Sequence, residues 1–182
     1  TIILRGKGGV FCAGGDIKGF RSDLQGGEPG RDDIARGNRS FGDLMLKLNE
    51  QPQVVIILVE GAAIGGGLGL ACVGDVTIVT RDARFRLSET SLGIPPAQIA
   101  PFVTERVGLT QARRLMLTGA RFQGEEAVRC GIGHILAEDA ADLEAKCTEV
   151  LAQISLCAPG ANATTKRILF EATRRPRPEA LD

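Results

Sequence analysis

A glycine-rich turn follows the most apolar run of the chain and limits what the fold can be. The run covers residues 54–59, and the twelve residues after Glu60, GAAIGGGLGLAC, include five glycines. An apolar run without alternation predicts a strand that is buried on both faces, as in a parallel sheet. Because this strand leads through the glycines into a short helix at about residues 68–73, the sequence predicts an α/β protein.

The glycines have three possible functions. A cradle for nucleotide phosphates would need GxGxxG or GxxxxGK[ST], and neither spacing occurs here. Glycines in the first turn of a helix leave backbone N–H groups open to a negative oxygen, which makes an oxyanion hole. Tight helix packing also favours glycine. A second glycine turn, FCAGGDI at residues 11–17, favours the oxyanion hole, since two amides from separate turns can hold one thioester oxygen.

The pattern changes at Pro95 and Pro96, and this divides the chain in two. Before them, the spacing of apolar residues predicts a helix at 32–50, a loop at 21–31 and strands at 1–4, 54–59, 76–80 and 84–87. After them, it predicts an extended piece at 133–136 and helices at 97–107, 110–117, 124–130, 140–157 and 161–173. The expected fold is therefore α/β with an appended helical part.

Composition excludes several classes of partner. The formal net charge is zero and the chain has no Trp or Tyr, so we expect no nucleic-acid surface. No apolar run approaches the roughly 20 residues of a membrane span, so we expect no membrane partner. The five cysteines are scattered without a CxxC pair, and Asp16 has no neighbouring carboxylates, so we predict no metal site. Free thiols are typical of a reducing compartment, and a soluble, cytoplasmic protein is expected.

Three blocks of sequence resemble the crotonase (enoyl-CoA hydratase/isomerase) superfamily. They are FCAGGDI, GAAIGGGLGLACVGDV and ARFRLSETSLGIP, and the similarity continues through 106–108, 112–119 and 126–131. The resemblance implies repeated ββα units that carry an acyl-CoA site in residues 1–108. It also implies a helical trimerisation region in 109–182, hence a homotrimer or a dimer of trimers. Since Thr1 leads directly into an apolar strand, we expect residues to be missing before it.

The same resemblance implies roles for individual residues. The amides of Gly15 and Gly66 would hold the thioester oxygen, and Glu89 would exchange the proton at Cα. The other implied substrate-binding residues are Cys12, Ala13, Gly14, Asp16, Ile17, Gly65 and Gln98. The partner would be an acyl-CoA thioester, and no separate cofactor is implied because coenzyme A is part of the substrate.

The chain departs from this family at one catalytic position. Hydratases of the family use two glutamates, and the position of the first is Gly69 in this chain. The segments LGIPPAQIAPFV and CAPGANATTK nevertheless resemble the branch that hydrates isohexenylglutaconyl-CoA and 3-methylglutaconyl-CoA, so we expect a hydratase. The distal carboxylate of such a substrate, or Gln98 with an ordered water, would then hold the nucleophile.

Three other functions remain open. One carboxylate is enough to move a proton between carbons, so an isomerase could use Glu89 alone. A non-catalytic acyl-CoA-binding protein would also explain Gly69. A hydrolase would need His134, the only histidine, which lies away from the three blocks and is expected to be structural.

Burial of Glu89 behind an apolar wall, expected from Phe85, Leu87, Leu92 and Ile94, should raise its pKa.

Overall fold

The computed structural model describes residues 1–15 and 31–174. Within these residues there are seven strands: Ile2–Arg5 (β1), Val55–Val59 (β2), Ala62–Ile64 (β3), Val76–Thr80 (β4), Arg84–Arg86 (β5), Arg121–Gln123 (β6) and Ile135–Ala137 (β7). The α-helices of the same residues are Arg31–Asn49 (α1), Gly66–Cys72 (α2), Ala100–Thr118 (α3), Gly124–Arg129 (α4), Ala140–Ser155 (α5) and Pro159–Arg174 (α6). In this part of the chain, no helix is both long and apolar enough to span a bilayer.

The strands form two sheets, and the predicted α/β class is confirmed. One sheet has the order β1-β2-β4-β7, with every neighbouring pair parallel. The other has the order β3-β5-β6, in which β3 and β5 are parallel and β6 runs antiparallel to β5. Parallel neighbours need a crossover connection, and helices supply it here.

Repeated ββα units explain this topology. β2, β3 and α2 form one unit, and β4, β5 and α3 form the next. The first strand of each unit joins the four-stranded sheet, and the second strand joins the three-stranded sheet. An earlier unit has the same layout, because β1 pairs with β2 and Cys12 forms a single parallel bridge to Ala63 of β3. Successive units therefore stack with their corresponding strands side by side.

The four-stranded sheet is covered on both faces, as the unbroken apolar run predicted. All five residues of β2 are buried. Val55, Ile57 and Val59 belong to the core beneath α2 and the second sheet, whereas Ile56 and Leu58 belong to a core formed with α5. Burying an aliphatic side chain of this size stabilises the fold by about 1.5–3 kcal/mol, so β2 is a main contributor to stability.

Several elements differ from the sequence prediction. The short strands β3 and β6, of three residues each, were not predicted. By contrast, the two helices predicted between 97 and 117 are confirmed, because the helical backbone of α3 is interrupted at Gly108, where φ is 72° and ψ is 160°. The proposed division after residue 108 stays a prediction, and both β6 and β7 pair with strands that precede it. Of the predicted loop at 21–31, residues 21–30 lie outside the described residues.

Candidate functional site

The stacking of ββα units brings three turns to one edge of the smaller sheet. Cys12 lies opposite Ala63, and Ala63 lies opposite Phe85, all in parallel register. Three or four residues after these partners, each of the three segments has left the sheet and reached a turn. The residues at those positions are Gly15, Gly66 and Glu89. The carboxyl ends of parallel strands are where α/β proteins usually bind ligands. Residues that are 74 positions apart in sequence thus meet because of strand register.

A cavity of about 370 Å³ opens at this edge. Six of the predicted site residues line it: Cys12, Gly14, Gly15, Gly66, Glu89 and Gln98. The remaining lining comes from Asn38 and Phe41 on α1 and from residues 94–97 and Ile99. The three predicted catalytic positions therefore share one cavity with a predominantly apolar wall.

The glycine turn allows close contacts between the units. Gly65 has a φ of 56°, and its amide donates to the carbonyl of Arg86 over 2.8 Å. A Cβ atom on Gly65 would lie 2.8 Å from Oε1 of Glu89. On Gly67, it would lie 2.4 Å from the carbonyl oxygen of Cys12. Side-chain bulk is excluded on both sides of Gly66, so packing is one reason for these glycines.

The amides of the two turns are available as donors. At the start of α2, the amides of Leu68 and Gly69 both donate to the carbonyl of Gly65. By contrast, the amides of Gly15 and Gly66 have no hydrogen-bond partner within residues 1–15 and 31–174. Both glycines line the cavity. Backbone amides that lack a partner in this part of the chain are suited to an acceptor oxygen of a ligand.

Glu89 is held at the mouth of the third turn. It immediately precedes a 3₁₀ helix, Thr90–Leu92, and its carbonyl oxygen accepts from the amides of Leu92 and Ile94. In the described part of the chain, its Oε2 atom is buried without a hydrogen-bond partner. Burial raises the pKa of Glu89, although the backbone amides of Glu89 and Ser88 partly oppose this. The predicted direction of the shift is confirmed.

The apolar wall beside Glu89 differs from the one expected. Of the four residues predicted for it, Ile94 alone lines the cavity, while Phe85 and Leu87 are buried in the core. Leu92 is exposed. The observed wall differs from the expected one because the side chain of Phe85 points into the core, where its ring stacks on that of Phe122 with ring centroids 5.4 Å apart. The residues that replace the expected ones are Phe41, Pro95, Pro96 and Ile99.

The position of the missing glutamate is filled by other side chains. Gly69 is buried in α2, and a Cβ atom there would lie 2.6 Å from Cγ2 of Ile99 and 3.2 Å from Sδ of Met45. Ile99 and Met45 are themselves buried. A side chain longer than hydrogen cannot enter this space without moving its neighbours, so the packing itself excludes a second carboxylate at residue 69.

Replacing Gly69 by Ala should destabilise the protein by about 1–3 kcal/mol, because the new methyl group overpacks the site. Ile99→Ala alone should cost about 2–5 kcal/mol through the cavity that it leaves. In the double variant the two changes relieve each other, so the added cost of Gly69→Ala should vanish. Urea unfolding of the four proteins measures this coupling, and strict additivity would contradict the contact.

The remaining predicted residues have different positions. Ala13 is exposed and does not line the cavity. Asp16 and Ile17 lie outside the described residues. Gly65 contacts Glu89 as above. Asn38 and Phe41 were not predicted to line the cavity. Their i, i+3 spacing, which places both on one face of the predicted helix, was the available signal.

His134 and Arg81 have structural partners. Nδ1 of His134 accepts from the amide of Thr77 over 2.9 Å, and the amide of His134 donates to the Thr77 carbonyl over 2.8 Å. These bonds join the start of β7 to β4, as the predicted structural role requires. Arg81 forms ion pairs with Glu125 and Glu138 at the surface. Among the described residues, no three His, Cys, Asp or Glu side chains form a group that could hold a metal ion.

Stacked ββα units that enclose a glycine-lined cavity, with Glu89 as the carboxylate among its described lining residues, define the crotonase-like class of α/β proteins. The match to a known family is direct: the chain belongs to the enoyl-CoA hydratase/isomerase family, which it matches over residues 1–182. The predicted superfamily and crotonase-like fold are thereby confirmed.

Individual relatives agree with this assignment. The chain is 34% identical over 173 residues to enoyl-CoA hydratase ACTT6 of Alternaria alternata, which covers 95% of this chain and 55% of that protein. It superposes on Pseudomonas aeruginosa AtuE with a TM-score of 0.90 and 53% identity, over 95% of this chain and 66% of that one. It superposes on an enoyl-CoA hydratase/isomerase from Marinobacter aquaeolei with a TM-score of 0.91 and 47% identity, over 99% of this chain and 69% of that one. The chain spans about half the length of the first curated relatives it matches.

Proposed function

We propose that the whole protein is an enoyl-CoA hydratase-type enzyme, which adds water to an α,β-unsaturated acyl-CoA thioester. The observation that carries the proposal is the convergence of Gly15, Gly66 and Glu89 on one cavity in a member of this family. The amides of Gly15 and Gly66 would form an oxyanion hole, since donors aimed at a developing negative oxygen stabilise the transition state.

The proposed reaction needs one carboxylate. The oxygen of water bonds to Cβ, the electrons of the carbon–carbon double bond move towards the thioester oxygen, and the amides of Gly15 and Gly66 hold the resulting enolate. Glu89 takes one proton from the water and delivers a proton to Cα, so it ends in the form in which it began. A raised pKa brings the carboxyl closer to neutral working pH, which suits this exchange. No separate cofactor is required in this scheme, and coenzyme A is part of the substrate.

A branched glutaconyl-CoA is the favoured substrate. The proposal rests on the resemblance of residues 92–103 and 157–166 to the glutaconyl-hydrating branch. Two side-chain amides, Asn38 and Gln98, also line the cavity and could donate to a distal carboxylate. Equal turnover of a glutaconyl thioester and its uncharged methyl ester would contradict this preference.

An isomerase is the second candidate. It is favoured by the packing at Gly69, where Ile99 and Met45 leave no room for a second carboxylate. Proton transfer from Cγ to Cα would use Glu89 alone and no water. The same cavity and the same amides would serve both reactions.

A panel of unsaturated CoA thioesters distinguishes the candidates. We expect the purified protein to remove the conjugated absorbance of the substrate and to form a 3-hydroxyacyl thioester that contains ¹⁸O from labelled water. Migration of the double bond without incorporation of ¹⁸O would favour the isomerase. Binding of the thioesters without any conversion would favour a non-catalytic binding protein.

The proposed setting of the reaction follows from the same resemblance. Cys12, Ala13, Gly14 and the segment after them would contact the substrate near the thioester. A homotrimer or a dimer of trimers is proposed, and its support is the set of exposed apolar side chains that includes Leu109, Leu117 and Leu169. All five cysteines are free, which is compatible with the proposed cytoplasmic location.

A further inference from the structure

A glycine on α1 admits the side chain of Gln98 to the cavity. Gln98 is half-buried and lines the cavity together with Glu89. A Cβ atom on Gly42 would lie 2.2 Å from Oε1 and 3.2 Å from Cδ of Gln98. No side chain other than hydrogen at residue 42 is compatible with this position of Gln98.

The residue after Gln98, Ile99, fills the space beside a glycine of a different helix. Ile99 lies against Gly69 of α2, while Gln98 lies against Gly42 of α1. Two adjacent residues thus enter the spaces left by two glycines on two different helices. At residue 69, where family hydratases carry a glutamate, the neighbouring side chains are the apolar Ile99 and Met45. The amide of Gln98 is a polar group that lines the cavity together with Glu89.

We propose that Gln98 binds the attacking water in place of the absent carboxylate, and that Gly42 makes room for it. This inference rests on the proposed hydratase function. It assigns Gln98 as a residue that contacts the nucleophile and Gly42 as a residue that positions Gln98.

The chemistry divides the two hydrogens of the water. The amide oxygen of Gln98 accepts a hydrogen bond from the O–H group of the water that stays intact and becomes the product hydroxyl. Glu89 takes the other hydrogen as the oxygen bonds to Cβ. A neutral amide gains and loses no proton, so Glu89 alone accounts for the proton balance. An amide also leaves Glu89 without the repulsion that a second carboxylate nearby would cause.

Two variants remove the proposed contact in different ways. Gln98→Met keeps the length of the side chain and removes its polar atoms. Gly42→Ala keeps Gln98 and displaces it, and the displaced atoms are the end of a flexible side chain, so the cost in stability should be small. Gly37→Ala is the matched control, because it lies on the same helix and a Cβ atom there meets nothing within 4 Å.

Two reactions are measured for each variant. Hydration of the unsaturated thioester needs the water, whereas exchange of the Cα protons of a saturated acyl-CoA in D₂O needs only Glu89 and the two amides. We expect Gln98→Met and Gly42→Ala to lower kcat for hydration about 100-fold and to leave exchange within about twofold. Gly37→Ala should change neither reaction by more than about twofold.

Each other outcome has a definite meaning. Unchanged hydration in Gln98→Met, in a wild-type background that hydrates, would overturn this inference and leave the hydratase function intact. Equal loss of hydration and exchange in both variants would show a general distortion of the cavity and would also overturn it. A wild-type protein that exchanges Cα protons but incorporates no ¹⁸O overturns the hydratase proposal, and the inference with it.

Discussion

Replacement of Glu89 by Gln is expected to lower turnover by about 10³-fold and to stop exchange of the Cα proton. Gln has nearly the same shape as Glu, so the cavity and the two amides are retained while the only carboxylate that lines the cavity within the described residues is lost. Stopped-flow absorbance and proton NMR in D₂O measure the two effects. Retained Cα exchange in the variant would assign the proton transfer to another group.

The pH dependence tests the same residue. Because burial raises the pKa of Glu89, the acid limb of kcat/KM should lie above the ordinary glutamate value of 4.5. Activity should rise with pH as the carboxyl ionises, and the limb should be absent from any residual activity of Glu89→Gln. An acid limb at or below pH 4.5 in the wild-type protein would contradict the assignment of Glu89 as the base.

The sign of the stability effect separates loss of chemistry from loss of fold. A raised pKa means that the folded state favours the protonated carboxyl, so the contribution of Glu89 to stability is greatest below pH 4.5 and is lost as pH rises through its folded pKa. Near pH 8, Glu89→Gln should therefore be as stable as the wild type or slightly more stable. A marked decrease in the melting temperature would attribute the lost activity to unfolding.

Sequence motifs were sufficient for the parts of the site that lie in consecutive residues. Each glycine turn is a local feature, and Glu89 lies in a contiguous block, so their residue types could be recognised directly. The helix α5 and the strand β4 were also predicted closely, because a long amphipathic period or an apolar run is a strong signal. Strand register then accounts for why the turns meet.

Contacts between helices could not be predicted in this way. The absence of an acid at Gly69 is visible in the sequence, but the side chains that fill its place are Ile99, thirty residues later, and Met45 on a different helix. Asn38 and Phe41 line the cavity only because of how α1 crosses the site. Helix crossing depends on the shapes of many side chains together, and no local pattern records it.

Gly67→Ala is expected to be strongly destabilising. The new Cβ atom would lie 2.4 Å from the carbonyl oxygen of Cys12 and 2.8 Å from its Cβ atom. That oxygen accepts a hydrogen bond from the amide of Ile64 over 2.9 Å, so the backbone cannot move without weakening the pairing of the two units. We expect a loss of about 3 kcal/mol in the free energy of unfolding, which corresponds to a decrease of roughly 6–12 °C in Tm.

The control for this variant is again Gly37→Ala, which should be neutral or more stable by up to about 1 kcal/mol, because alanine is the better helix former. Gly67→Ala should also lose Cα exchange at temperatures where it remains folded, since the turns at Gly15 and Gly66 can no longer approach each other. Differential scanning calorimetry and the exchange assay measure both effects. Wild-type stability with wild-type exchange in Gly67→Ala would mean that this contact does not position the two amides.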